Sequence, residues 1–321
     1  MDLKKRIKEK AIEIGFDLFG VTTLEPSIYK EEFLSSLERY SYSDLEYLKR
    51  NIEERVNPKL RFPWAKSVIV VGINYWQGPL PELREGEVRI SRYALGKDYH
   101  EVMREKLTIL SEFIIKEVGV RKVKGYSDTG PLPEKELAKR AGLGWIGKNT
   151  LLVTEEFGSW VFLGELLIDF ELEPDREKEN KCRDCKICVD VCPSNALYKP
   201  YSLDPGKCTA YWTVSRGDYL PEWFPSPLNE YIFGCDICQE VCPFSKNARQ
   251  TKIREFLPSK KLINPSLEFL QSLSDKDFNN LFGETPISWV GKRILIRNLK
   301  AFAKGCSSNS SSNLPLSSFR S

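Results

Sequence analysis

Apolar residues open the chain at helical spacing. Leu3, Ile7, Ala11, Ile12 and Ile14 share one face among Lys, Arg and Glu, and Gly15 follows. This predicts an amphipathic helix over 3–14 that the glycine ends. Stretches 28–40 and 43–54 read the same way, the second stopping before Pro58, which cannot continue a helix. The period then changes. Lys66 to Tyr75 contains the β-branched run Val68 to Val71 and predicts a buried strand. Residues 98–118 return to helical spacing through Val102, Leu107, Leu110, Phe113 and Ile114, ending near Gly119. Trp160 to Phe170 carries bulky residues on both faces, which predicts a strand in the middle of a sheet. After Pro243 the spacing predicts short helices at 266–272, 274–282 and 287–304.

Composition narrows the class. At roughly 100–200 residues per domain, 321 residues make two or three domains. A chain with 41% hydrophobic and 29% charged residues is soluble and globular. Apolar runs such as Val68 to Val71 fall far below the ~18–20 residues that span a bilayer, so no membrane partner is expected. Met1 to Lys10 is charged with no apolar core behind it, so a cytoplasmic protein without a secretory signal is expected. In that compartment nine cysteines are not expected to form structural disulfides.

Eight of the nine lie between residues 182 and 242. The first group is Cys182-x2-Cys185-x2-Cys188-x3-Cys192-Pro193, the bacterial ferredoxin spacing, in which the fourth cysteine ligates the neighbouring cluster. The second is Cys235-x2-Cys238-x3-Cys242-Pro243, which lacks a first cysteine that Cys208 supplies. Eight thiols then make two [4Fe–4S] sites. By the crossing rule one takes Cys182, Cys185, Cys188 and Cys242, the other Cys192, Cys208, Cys235 and Cys238. Paired structural zinc sites are the alternative, although they rarely combine a three-cysteine run with two Cys-Pro endings. Cys306 stands outside the scheme as an incidental thiol.

The chain divides accordingly. Residues 1–175 form an α/β (α+β) domain, with Glu171 to Lys181 as the linker into a ferredoxin-like segment, 176–246. A helical module, 247–306, precedes a Ser-rich tail, 307–321. The formal charge of +3 hides a net +7 over 246–304 and −4 elsewhere, so the module is either a polyanion surface or a set of solvated helix faces. Asp128, before Thr129-Gly130-Pro131, suits a turn or a helix N-cap. The spacing Gly142-x-Gly144-x-x-Gly147 matches a dinucleotide fingerprint, but a helical stretch precedes it where a strand is needed, so it reads as punctuation between elements.

Several segments together resemble one family, the epoxyqueuosine reductases of tRNA queuosine synthesis. They are Arg55-Val56-Asn57-Pro58, Tyr93 to His100 (YALGKDYH), Asp128-Thr129-Gly130-Pro131, Glu134 to Thr150 (EKELAKRAGLGWIGKNT), and the double cysteine pattern with Tyr231-x2-Gly234-Cys235-Asp236. The resemblance runs from the first helix to about Lys304. It implies a nitroreductase-like cobalamin-binding catalytic domain, a ferredoxin-like double [4Fe–4S] domain and the start of a HEAT-like helical extension at Trp289-Val290-Gly291-Lys292-Arg293. It implies reduction of epoxyqueuosine to queuosine at the tRNA wobble position, with cobalamin, two clusters, an external low-potential electron donor and the anticodon stem-loop as partner. Asp128 matches the family's catalytic acid; Glu134 is the runner-up, although on a Lys- and Glu-rich helix it reads as a solvated residue. Arg55, Ser91, Leu152 and Leu163 fall where the family contacts cobalamin, and Lys148 and Asn149 follow the Gly-rich turn beside it. Asp98-Tyr99-His100 is similar to the start of a cobalt-ligating D-x-H-x-x-G motif, but Met103 takes the glycine position, so His100 is read as supporting the site or fold. Three other readings stand beside this one: a corrinoid reductive dehalogenase, an electron carrier without a substrate, and a zinc-ribbon nucleic-acid binder.

Overall fold

The computed structural model describes residues 2–40, 43–224 and 230–308. The Ser-rich tail beyond Ser308 and the Cys306 side chain lie outside the described residues. In chain order the first half runs α1 (Leu3–Ile14), β1 (Leu18–Thr22), α2 (Lys30–Arg39), α3 (Ile52–Val56), β2 (Ser67–Asn74), β3 (Arg89–Ile90), α4 (Tyr99–Val118), β4 (Val123–Tyr126), α5 (Glu134–Arg140), β5 (Trp145–Ile146), β6 (Leu152–Val153) and β7 (Val161–Ile168). The second half runs α6 (Ile187–Asp190), α7 (Thr209–Val214), β8 (Tyr231–Phe233), α8 (Ile237–Glu240), α9 (Pro243–Lys246), α10 (Leu267–Ser272), α11 (Asp275–Phe282) and α12 (Gly291–Ser308). Glu171 to Lys181 carries neither helix nor strand, as a linker should.

A four-stranded sheet, β1-β2-β7-β4, is antiparallel throughout, and β7 lies inside it as its two-sided bulk predicted. Every β2 residue is buried. One face of the sheet packs on α1 and α4 through Ile7, Ala11, Leu107, Leu110, Phe162 and Leu166. The other packs on α5 through Val68, Val70, Leu137, Ala138 and Leu167. Each aliphatic side chain fully buried in these layers contributes about 1.5–3 kcal/mol. The first half is thus a mixed α/β fold, with the helices on both faces of one sheet.

A second core ignores the linear partition. Val88, Ile90, Ala94 and Leu95 join Ile232, Phe233 and residues of α10 to α12, including Leu270, Phe278, Ile294 and Leu299. The two-stranded pairing of β3 with β8 stitches the same junction. The basic residues of α12 serve this packing too. Arg293 bonds Asp218, and Arg297 donates to the carbonyls of Trp212 and Gly217. Part of the local positive charge is therefore spent inside the molecule.

The expected helix over 43–54 is divided into a 3₁₀ turn, Ser43–Lys49, and α3, because Asn51 between them adopts φ 55°. A 3₁₀ turn at Pro286–Trp289 likewise precedes α12, with Gly291 at φ 76° marking the break. Among the described residues no helix is long and apolar enough to cross a membrane.

Gly20 in β1 shows how tightly α5 lies on the sheet: a Cβ there would come 2.0 Å from the Ala141 carbonyl oxygen. Backbone cannot yield as a flexible side chain can. Gly20→Ala is expected to destabilise the fold by about 1–3 kcal/mol, read as a lowered thermal midpoint; an unchanged midpoint would contradict the packing described.

Candidate active site

One cavity of about 1720 Å³ lies between the sheet layer and the cysteine-rich segment. It exceeds the ~300–1,000 Å³ of ordinary small-molecule pockets. Arg55, Ser91, Asp128, Asn149, Leu152 and Leu163 all line it. Lys148 does not. Its ammonium donates instead to the Arg183 carbonyl, on the loop between Cys182 and Cys185. Asn149 and Leu152 are buried on the β5–β6 hairpin, with Asn149 Oδ1 accepting from the Leu151 N–H at 3.3 Å. The Ser91 hydroxyl is buried and donates to Asp236 Oδ1. The Arg55 guanidinium stands 5.6 Å from the Tyr47 ring centroid.

The Gly-rich turn builds this wall by close approach. It follows α5 and leads into β5, so no helix opens from it. A Cβ on Gly144 would sit 2.1 Å from the Val153 carbonyl oxygen, and Gly142 adopts φ 73°. These glycines let backbones touch and do not cradle a pyrophosphate, as the context around the motif predicted.

Asp128 follows β4 at φ 56°, a left-handed conformation that Asp tolerates better than most residues. Its carboxylate is largely exposed and accepts from Tyr99 OH at 2.7 Å. Its N–H donates to Glu134 Oε1 at 2.5 Å. His100 Nε2 lies 3.7 Å from Asp128 Oδ2, while His100 Nδ1 lies 2.7 Å from Asp98 Oδ1. The start of α4 fixes this arrangement, because Asp98 caps the helix through the His100 N–H at 2.9 Å. The ring therefore stands between two carboxylates. The Asp128 carboxylate 3.7 Å from Nε2, and then the Asp98 carboxylate that accepts from Nδ1, push His100 up to about 9. Burial, followed by the Asp128 charge, pushes Glu134 up to about 7. Burial and the same charge raise the Tyr99 phenol.

A single histidine makes this testable by NMR. Its ring should titrate near 9, and Asp128→Asn should lower that midpoint by about one unit or more. The folded-state value lies above the unfolded ~6.5, so the stabilising contribution is complete below that pH. It is lost as pH rises through about 9. An unshifted midpoint in the variant would remove the proposed contact.

None of the eight described cysteines forms a disulfide, and each feels particular others most strongly. Burial raises the Cys188 thiol, and the charges it then feels are Cys242, Cys182 and Cys185. Burial raises Cys238, which feels Cys208 and Cys192 ahead of Cys188. Cys235 feels Cys238 and Cys208, and Cys208 feels Cys192. The short helices α6 and α8, which carry the related segments Ile187-Cys188 and Ile237-Cys238, pack against each other and bring the two loops together. Among the described residues no three His, Cys, Asp or Glu side chains converge closely enough to hold a single metal ion. All four thiols of the Cys192, Cys208, Cys235 and Cys238 group also line the large cavity, on the wall facing the sheet layer.

Two family profiles match these regions. One, described as epoxyqueuosine reductase QueG, DUF1730, matches residues 55–129. The other, a 4Fe-4S double cluster binding domain, matches residues 181–245. The epoxyqueuosine reductase of Leadbetterella byssophila is 36% identical over 307 residues, covering 94% of this chain and 99% of its own. That of Lactococcus garvieae is 38% identical over 317 residues, covering 98% and 89%. The chain belongs to the epoxyqueuosine reductase family. Among solved epoxyqueuosine reductases, one crystallised with a tRNA-Tyr epoxyqueuosine-modified stem loop superposes with TM-score 0.84 at 34% identity, over 92% of this chain and 80% of that one. A Bacillus subtilis enzyme with its catalytic loop swung out of the active site superposes with TM-score 0.85 at 33% identity, over 96% and 82%.

As an epoxyqueuosine reductase the protein is an oxidoreductase with a double-cluster domain, which leaves the dehalogenase, electron-carrier and zinc-ribbon readings behind. Two residues of the site escaped sequence reasoning. Tyr99 has no role of its own in the YALGKDYH segment, yet its phenol donates to Asp128. Glu165 was hidden in the middle of β7, where a lone carboxyl in a strand expected to be buried on both faces was the available signal.

Proposed function

We propose that this protein reduces epoxyqueuosine to queuosine at the wobble position of tRNA in the cytoplasm, the last step of queuosine biosynthesis. One observation carries the reading: the same cavity is walled by Asp128 and by all four thiols of one cysteine group. An acid and an electron-delivery centre thus share a space large enough for cobalamin. Two buried polar atoms on its lining, Trp145 Nε1 and Ser159 Oγ, have no partner within the protein, and the amide-bearing rim of a corrin would supply partners. When bound, cobalamin supplies the two reducing electrons at cobalt, delivered singly through the clusters from an external low-potential donor.

Arg55, Ser91, Asn149, Leu152 and Leu163 would hold the cofactor, with Asp128 at its reacting face. Lys148 would act only by tying the hairpin to the Arg183 loop. Cys182, Cys185, Cys188 and Cys242 would hold the distal cluster, and Cys192, Cys208, Cys235 and Cys238 the one beside the cavity. Asp128 protonates the epoxide oxygen, because an unprotonated alkoxide is a poor leaving group. Tyr99 and His100 hold its carboxyl in place. The functional partition into 1–175, 176–246 and 247–306 goes with a nitroreductase-like first unit and a HEAT-like start to the third. The anticodon stem-loop is the macromolecular partner.

Metal and cofactor analysis tests the loading. Purified anaerobically, the protein should carry about eight iron and eight sulfide with one cobalamin per chain. Iron without any cobalamin binding would overturn the cobalamin reading, and zinc alone would overturn both.

A further inference from the structure

Reducing an epoxide to an alkene breaks two C–O bonds, takes up two electrons and sends two protons to the same oxygen, which leaves as water. Asp128 carries one proton at a time. The second must reach it while the substrate still occupies the cavity.

Directly behind Asp128 lies a pair of carboxyls that the reaction as described leaves unused. Glu134 opens α5 and accepts the Asp128 N–H at 2.5 Å. Glu165 lies on β7, on the face that carries Leu163 and Leu167 toward α5. It is completely buried, no N–H or O–H donor of the protein reaches either carboxyl oxygen, and the polar group beside it is the Glu134 carboxyl. A buried carboxylate without partners is costly, so such a group stays neutral and keeps its proton. Burial and then the neighbouring Glu134 charge raise Glu165 well above the carboxylate range. A leucine or glutamine would fill the strand at less cost, so packing alone does not account for the acid.

We propose that Glu165 and Glu134 form a proton reserve that recharges Asp128 between the two protonation steps; this rests on Asp128 being the acid. In the first transfer the Asp128 O–H bond breaks and the substrate O–H forms. The Glu134 O–H then breaks as that of Asp128 re-forms, and Glu165 passes its proton to Glu134. Water restores Glu165 after product leaves. Both are positioning residues, because neither touches the reacting oxygen. The groups facing the pair are Asp128 from the loop, Tyr99 and His100 from α4, and Lys135 on α5. β2 and β4 place Val70 and Tyr126 opposite Glu165.

The test compares wild type, E165Q and E134Q in single-turnover conversion of a stem-loop substrate across pH, in H2O and D2O. E134Q keeps the acceptor oxygen for the Asp128 N–H. Each variant should lose about tenfold or more on the alkaline side, regain rate as pH falls, and show an enlarged solvent isotope effect. An equal loss at every pH, or wild-type profiles in both variants while D128N is inactive, would overturn the reserve alone. Full activity in D128N would instead overturn the acid assignment beneath it. Independently of turnover, and even if E165Q does not fold, glutamate 13C-labelled at its side-chain carboxyl should reveal a protonated carboxyl in wild type at pH 8. Its absence would sink the proposal.

Discussion

Asp128→Asn is expected to lower turnover by about 100- to 10,000-fold, the range lost with a general acid, while cobalamin and cluster spectra stay as in wild type. The substitution is chosen to separate two explanations of the same residue. Asn, like Asp, tolerates the left-handed conformation found here at φ 56° and suits the turn before Thr129-Gly130. Its side-chain oxygen still accepts from Tyr99 OH. If Asp128 were only a turn residue, the variant would keep its activity, with the thermal midpoint lowered only by loss of the His100 contact. As the acid, it loses activity while that small midpoint change stays the same. Full activity with intact cofactors would remove the role.

Cys238→Ser is expected to abolish turnover and to remove about half of the bound iron, because it breaks one four-thiolate site and leaves the other. The sharper comparison concerns which cysteines fail together. Cys242 sits in the second motif, yet its thiol neighbours Cys182 and Cys188 from the first. Cys242→Ser should therefore erase the same electron paramagnetic resonance signal as Cys182→Ser. Cys192→Ser should erase the one lost with Cys208→Ser. The second signal belongs to the group that walls the cavity, so its loss should also isolate the substrate-side centre from reductant. If Cys242→Ser and Cys238→Ser removed one and the same signal, the crossing would be wrong.

The elements that sequence patterning reached are those whose burial follows from a regular period. α1, β2, α4, β7, α10 and α11 all lie within a few residues of their expected bounds. The expected helix over 43–54 failed on a single backbone angle at Asn51, which apolar spacing does not encode. β1 was missed because Gly20 weakens its strand signal, and the reason for that glycine is the Ala141 carbonyl, more than a hundred residues away. The second core was invisible for the same reason, since nothing in Val88 to Leu95 announces that it packs on α10 to α12. In the site, the double-cluster domain was legible because ferredoxin loops are local and their cysteines keep a fixed spacing. Arg55, Ser91, Leu152 and Leu163, which the resemblance implies, line one cavity together with Asn149 from the end of the Gly-rich turn, while Lys148 donates to a backbone carbonyl instead. The buried acid behind Asp128 depends on how β7 and α5 meet, which only the fold supplies.

The most direct measurement gives the anaerobically reconstituted protein, loaded with cobalamin, a stem-loop bearing epoxyqueuosine and a low-potential reductant, and analyses the loop nucleoside by mass. Conversion to queuosine, with loss of one oxygen and dependence on both cobalamin and reductant, is the predicted result. An epoxide left intact under those conditions, by a protein carrying both clusters and cobalamin, would contradict the assigned reaction.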